Sequence, residues 1–272
     1  MSSWQEIRSR DNPQVRAIRR WLNEASFRRR EPWLVLEGDH LLTAALQAGW
    51  MPEAVFVEEG REARFAAVLE ALPPTCARVR VSAPVFRALA ATETPSGIVA
   101  RFARRTLAVT PEELAGRDLV LLDGVQEPGN VGAILRTAAA AGVGAVLLGP
   151  GCADHWAPKV LRAAMGAHFV LPIAAIDDPE PWFAARRGRV FATALAEKAV
   201  PLYALGLKAP ALWLFGAEGA GVRPEWLAVA DACVRIPMPG AMESLNVAAA
   251  VAVCLFEAVR QRLCQAKKGV VS

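Results

Sequence analysis

The chain has 272 residues, 54% of them hydrophobic, and a formal net charge of +4. That length suits about two domains, and the apolar fraction excludes a disordered chain. No apolar run approaches the roughly 20 residues of a membrane span, and the first residues lack the apolar core of a secretory signal, so a soluble, cytoplasmic protein is expected.

In chain order, the first thirty residues carry eight arginines against Glu6, Asp11 and Glu24, leaving about −1 for the remainder. An arginine-dense end on a near-neutral body is the electrostatic footprint of a polyanion partner. A solvated helix in a chain with 26 Arg and 5 Lys would look the same. Residues 15–22 read as part of a basic amphipathic helix, 33–36 as a strand, 41–48 as a helix ending at Gly49, and 54–57 as a strand. A helix over 63–72 stopped by Pro73-Pro74 and a strand over 78–81 follow. Trp4 and Trp21, set among arginines, are candidate base-stacking platforms, whereas Trp33, Trp182 and Trp213 lie in apolar runs and read as core. Residues 107–117, with Pro111 and Gly116, form the expected linker between an N-terminal domain (1–106) and a second domain (118–272).

Beyond the linker, strands are expected near 119–122, 144–148, 169–172, 190–194, 212–215 and 233–236, mostly with helical stretches between them. Such alternation predicts a parallel sheet covered by helices on both faces, with ligands outside the carboxyl ends of its strands. Gly216 and Ile236 fall at those ends, and Thr193 ends its own strand. Three loops stand out. After 119–122 the chain reads Asp123-Gly-Val-Gln-Glu-Pro-Gly129, and Asn130 is expected to open a helix that carries Arg136. The strand at 212–215 runs into Gly216-Ala-Glu218-Gly-Ala-Gly221, where glycine permits close approach of a ligand to the backbone. The last strand runs into Ile236-Pro-Met-Pro-Gly-Ala-Met-Glu-Ser-Leu-Asn246, with Ser244 expected to open the apolar C-terminal helix.

Five scattered cysteines without CxxC spacing favour free thiols, and His40, His155 and His168 stand at no metal-ligand spacing, so no metal is expected. His155 reads as a surface residue and His168 as a helix-end residue. Lys159 and Arg162, at a helix start, line a nucleic-acid groove or form a solvated face. No GxGxxG and no Walker-type GxxxxGK occurs, which disfavours a dinucleotide-binding oxidoreductase.

Asn130-Val-Gly132 with Arg136, Gly216-Ala-Glu218-Gly219, and Ile236-Pro237 through Ser244-Leu-Asn246 together resemble the three ordered motifs of the SpoU (TrmH-type) ribose 2′-O-methyltransferases of the SPOUT superfamily. The resemblance covers roughly residues 115–266. More loosely, Asn12-Pro13, Leu36-Glu-Gly38 and Thr92-Glu-Thr-Pro-Ser-Gly-Ile-Val99 look like the ribosomal-protein-like substrate-binding domain of rRNA-modifying members.

The resemblance implies an α/β fold: a parallel-sheet catalytic domain with a deep C-terminal trefoil knot, which ordinary topology rules would exclude, beside a smaller α/β RNA-binding domain. It implies methyl transfer from S-adenosylmethionine to a ribose 2′-hydroxyl without a metal, on large-subunit (23S) rRNA by analogy, by a cytoplasmic homodimer to which residues 247–263 contribute. Arg136, Asn130, Glu218, Ser244 and Asn246 are the implied catalytic set, and Thr193, Gly216, Ile236 and Leu245 the implied cofactor set. A guanidinium is effectively always protonated, so the physical reading of Arg136 is a grip on phosphate and on developing alkoxide charge. The same chemistry on tRNA, a protective antibiotic-resistance role, and a non-catalytic ribosome-assembly protein stay open as alternatives.

Overall fold

The computed structural model describes residues 4–92, 94–194 and 198–269. Glu93, within the segment 92–99 singled out above, lies outside the described residues.

The elements run β1 (Gln5–Ile7), α1 (Pro13–Asn23), α2 (Ala25–Arg30), β2 (Trp33–Glu37), α3 (Asp39–Gln47), β3 (Pro52–Glu58), α4 (Ala66–Glu70), β4 (Ala77–Val81), α5 (Ala83–Leu89) and β5 (Ile98–Ala103). There follow β6 (Leu119–Asp123), α6 (Pro128–Ala141), β7 (Ala145–Leu148), α7 (Pro158–Ala164), β8 (Ile173–Ala175), α8 (Glu180–Ala185) and β9 (Arg189–Thr193). The chain closes with β10 (Val200–Pro201), β11 (Ala211–Gly216), α9 (Pro224–Leu227), β12 (Ala232–Arg235) and α10 (Val247–Gly269). It forms two compact units, Met1–Arg105 with Asp154–Phe169, and Thr106–Ala153 with Val170–Ser272.

The first unit is a five-stranded mixed sheet in the order β1-β4-β3-β5-β2. Asn12 caps α1 by accepting from Gln14 N at 2.9 Å, and Pro13 supplies the first helical φ. Val15, Ile18 and Trp21 then fall on one buried stripe. Trp21 is therefore core rather than a stacking platform: it is fully buried, and its indole N–H donates to Trp33 O at 3.0 Å. Trp4 is half-buried, with the Arg80 guanidinium 5.3 Å from its ring centre. Glu37 joins two of the segments singled out above. Its carboxylate accepts from Ala91 N and Thr92 Oγ1, both at 2.7 Å, and Gly38 N donates to Ile98 O at 3.0 Å.

Asp154–Phe169 contributes Trp156, Leu161 and Phe169 to this core, with Phe169 5.2 Å from Trp50. Arg28 donates to Asp154 at 2.7 Å in a pair that is nearly closed to solvent on the arginine side. Breaking such a pair by removing one partner costs about 3–5 kcal/mol. The strand expected at 169–172 is displaced: Ala167–Phe169 is a 3-10 turn whose ring faces the first unit, and the strand starts after Pro172 as β8. The helix expected at 63–72 is split, with a 3-10 turn at Glu62–Phe65 that puts Phe65 into the core before α4. β1, α2, α5, β5 and β10 were not anticipated.

The second unit is a seven-stranded sheet, order β10-β12-β9-β11-β6-β7-β8, parallel at every pairing. Leu119, Leu121, Leu212 and Leu214 pack against Trp182, Phe183 and Trp226 on one face. By strand alternation Val120, Leu122, Trp213 and Phe215, all fully buried, face the other way. α10 packs on α6 and reaches β11. Arg262 of α10 donates to Asp118, which also accepts from Ala211 N at 2.9 Å, so one carboxylate ties the helix to the entry of two central strands. No helix is long and apolar enough to cross a membrane among the described residues, and no group of three or more His, Cys, Asp or Glu there could hold a metal ion.

The two histidines of residues 154–169 are more enclosed than expected: His155 is half-buried rather than at the surface, and His168 sits in the 3-10 turn Ala167–Phe169. His168 is buried, its ring stacks on His155 at 6.3 Å, and Trp156 lies 5.2 Å away. His168 Nε2 lies 2.7 Å from His155 O and, facing a carbonyl, is the donor; Nδ1 is buried without a partner among the described residues. Burial pushes His168 down to about 3 and His155 down to about 4, from an ordinary 6.5. Between these values and 6.5 the unfolded chain binds more protons, so stability is present above pH 6.5 and is lost as pH falls through the window. His168→Gln keeps an N–H for the carbonyl and removes the titration. Urea midpoints should drop less between pH 7 and 4.5 for this variant than for the wild type; identical drops would refute the assignment.

Candidate active site

The site is built at the carboxyl edge of the parallel sheet. β6 ends at Asp123 opposite Gly216 of β11, and Thr193, the last residue of β9, pairs with Val234 of β12. Each strand end feeds one of the three loops.

The first loop turns into α6 earlier than expected. The helix begins at Pro128, and Glu127 caps it by accepting from Asn130 N at 2.7 Å. Asn130 therefore stands inside the first turn rather than at the cap, and its side-chain amide is left for other partners.

The second loop is closed by backbone. Gly221 N donates to Ala217 O at 2.8 Å, and Gly221 takes φ +68°. A Cβ on Gly216 would lie 1.9 Å from Gly221 C and 2.1 Å from its oxygen, so only glycine permits this approach. Asp123, 5% exposed, anchors the loop's far end: it accepts from Arg223 N at 2.7 Å and from Arg223 Nε at 3.0 Å. The Arg223 guanidinium lies 4.2 Å above the Trp226 ring.

The third loop is exposed from Pro239 to Asn246. Helix α10 begins at Val247, not at Ser244, because Asn246 is the cap: its Oδ1 accepts from Ala248 N at 2.9 Å and Ala249 N at 3.4 Å. With the oxygen engaged, Asn246 Nδ2 donates to Glu218 Oε1 at 2.7 Å and lies 3.0 Å from Asn130 Oδ1. Asn130 Nδ2 donates to the same Glu218 oxygen at 2.9 Å. One residue from each loop thus meets at a single carboxylate oxygen. A cavity of about 380 Å³ opens beside this node, lined by Gly124, Val125, Gln126, Glu127, Asn130, Ala217, Glu218, Gly219, Ala220 and Val247.

Of the other residues singled out in the sequence, Arg136 is exposed on α6, with no hydrogen-bond or ion-pair partner among the described residues. Ser244 and Leu245 are exposed in the third loop. Thr193 Oγ1 donates to Leu214 O at 3.3 Å, and Gly216 and Ile236 are half-buried. Thr193, Gly216 and Ile236 sit at the ends of the neighbouring strands β9, β11 and β12, but neither they nor Leu245 line the cavity. Sequence reasoning missed Glu127, Asp123 and Arg223. The signals were a carboxylate three residues before Asn130, and an Asp-Gly strand end answered by an arginine just past the glycine loop.

Residues 118–256 match the SpoU rRNA Methylase family, and residues 12–100 match the MRM3-like substrate binding domain. The chain belongs to the SpoU rRNA methylase family. It is an RNA methyltransferase. Relatives within it include the 23S rRNA (guanosine(2553)-2′-O)-methyltransferase RlmP of Bacillus subtilis, 33% identical over 92% of this chain and 98% of that protein. The 23S rRNA (guanosine-2′-O-)-methyltransferase RlmB of Bordetella pertussis is 37% identical over 84% of this chain and 97% of its own. Among solved structures, the AdoMet-bound rRNA methyltransferase from Sinorhizobium meliloti superposes with a TM-score of 0.80 at 32% identity, covering 94% of this chain and 97% of that one.

The node makes a charge-sensitive prediction for this methyltransferase. Asn246→Asp keeps the cap oxygen but sets a second carboxylate against Glu218, so activity should fall about tenfold or more. Adding Glu218→Gln restores a donor–acceptor match and should recover much of the loss. Equal activity of the single and double variants, read as methyl transfer per minute, would show that the node does not order the loops.

Proposed function

We propose that this enzyme transfers a methyl group from S-adenosylmethionine to a ribose 2′-hydroxyl of large-subunit rRNA. The observation that carries the reading is the Asn130–Glu218–Asn246 node, which gathers all three family loops at the sheet edge in a chain aligned with 23S rRNA 2′-O-methyltransferases over nearly its whole length.

Bound S-adenosylmethionine supplies an electrophilic methyl on a sulfonium centre. The chain's own residues hold and orient. The ends of β9, β11 and β12 carry Thr193, Gly216 and Ile236 side by side, and Gly216 leaves its backbone bare, which fits a nucleoside held by main-chain groups. Leu245 completes that set from the third loop. Arg136, an exposed guanidinium without a hydrogen-bond or ion-pair partner among the described residues, grips the phosphate beside the target ribose and stabilises charge developing on the 2′-oxygen. Asn130 and Ser244 position the nucleotide, while Glu218 and Asn246 hold the loops in register.

The first unit serves as the substrate-binding part, consistent with its arginine-rich start. A second copy of the chain covers α10, where Phe256 and Leu263, 47% and 61% exposed, stand seven residues apart on one stripe. Light scattering at micromolar concentration reads that dimer directly, and a monomer would contradict it. The trefoil knot belongs to the same reading: β12 lies outside β9, and the chain then returns to pack α10 on α6. Tracing the backbone through an experimental density map tests it, and an unthreaded path would remove it.

Labelled methyl incorporation into unmodified total RNA tests the reaction. Wild type should label 23S rRNA in alkali-resistant dinucleotides, and Arg136→Ala should lose about 100-fold or more. Arg136→Lys, which keeps charge but loses the planar fork, should lose about tenfold. Label confined to tRNA would overturn the substrate, and near-normal Arg136→Lys would overturn the role of geometry.

A further inference from the structure

The amino edge of the same sheet, opposite the three loops, holds another cavity, and this one is basic. Its volume is about 540 Å³, and Arg186, Arg187 and Arg189 line it with Asp231 as the one carboxylate. β9 starts at Arg189, so this cavity and Thr193 mark opposite ends of one strand, separated by about 13–17 Å at roughly 3.3 Å per residue.

Two of the three guanidiniums, those of Arg187 and Arg189, have no hydrogen-bond or ion-pair partner among the described residues. Asp231 is occupied by backbone, since its Oδ2 accepts from Val190 N at 2.6 Å, and Arg186 Nη2 stands 3.9 Å from that same oxygen. Arg186 Nη1 donates to Phe183 O, while Nε is buried with no partner among the described residues. Arg187 and Arg189 are exposed, and the Arg189 guanidinium lies 4.9 Å from the Phe191 ring centre. Close packing defines the cavity's floor: a Cβ on Gly188 would meet Pro210 O at 2.0 Å.

We propose that this cavity is a phosphate subsite for the RNA backbone, a second anchoring point on the catalytic unit remote from the methyl-transfer edge. Three guanidiniums against one backbone-engaged carboxylate select an anion, and planar forks suit phosphate oxygens. In an RNA methyltransferase the phosphate at hand belongs to the substrate, and a folded RNA spans the length of a strand. The inference rests on the RNA-modifying function proposed above.

The test is RNA binding as a function of salt, with unmodified rRNA, for wild type and for Arg187→Gln/Arg189→Gln. Both side chains are exposed, so the variant retains its fold, and unchanged affinity for S-adenosylmethionine confirms that. The slope of log K against log salt should fall in magnitude by about 1.5, as two lost phosphate contacts require. Wild-type RNA binding and methylation with an unchanged slope in the variant would overturn the subsite alone. Saturable binding of inorganic phosphate, lost in the variant while the RNA slope is unchanged, would reassign the cavity to a free anion and overturn the RNA subsite. A wild type that neither binds nor methylates RNA would instead sink the functional reading.

Discussion

A single oxygen, Oε1 of Glu218, accepts from the side-chain amides of both Asn130 and Asn246. The three residues belong to loops that are far apart in sequence. Hydrogen bonds to a carboxylate are about twice as strong as neutral ones, and here two of them converge. Each asparagine is engaged again: Asn246 closes the first turn of α10, and the Asn130 backbone is held by Glu127. Moving any one loop therefore disturbs two helix starts.

The rest of the second unit makes that convergence possible. Gly216 lies so close to Gly221 that the intervening loop has one shape, and Asp123 pins its exit through Arg223. At the opposite edge, Asp118 ties α10 to β6 and β11, so the helix capped by Asn246 is fixed at a second point. Arg136 stands exposed on the fixed helix, with no hydrogen-bond or ion-pair partner among the described residues.

Much of this was legible in the sequence, for local reasons. The strands at 119–122, 190–194, 212–215 and 233–236 were readable because their apolar runs end at glycine, threonine or proline loops. The candidate residues were named through family resemblance, and the structure joins three of them, Asn130, Glu218 and Asn246, by hydrogen bonds. Their bonding was not readable, because both helix starts were misplaced: Pro128 and Glu127 begin α6, and Asn246, not Ser244, caps α10. Phe169 misled the strand assignment because the apolar run 167–173 is divided between two units. Trp21 and His155 misled in the same way, since a charged or loop-like sequence neighbourhood says little about burial decided by distant residues. Short β1, and β5 with its apolar run broken by Arg101, gave no run long enough to register.

Hydrogen–deuterium exchange across Glu218→Ala tests the node most directly. Loss of the shared carboxylate should raise exchange together in residues 216–221, in the first turn of α6, and in the first turn of α10, while β2, β3 and β5 of the first unit stay protected. Increased exchange confined to residues 216–221 would mean that the three loops are held independently, and the node would not be the organising element of the site.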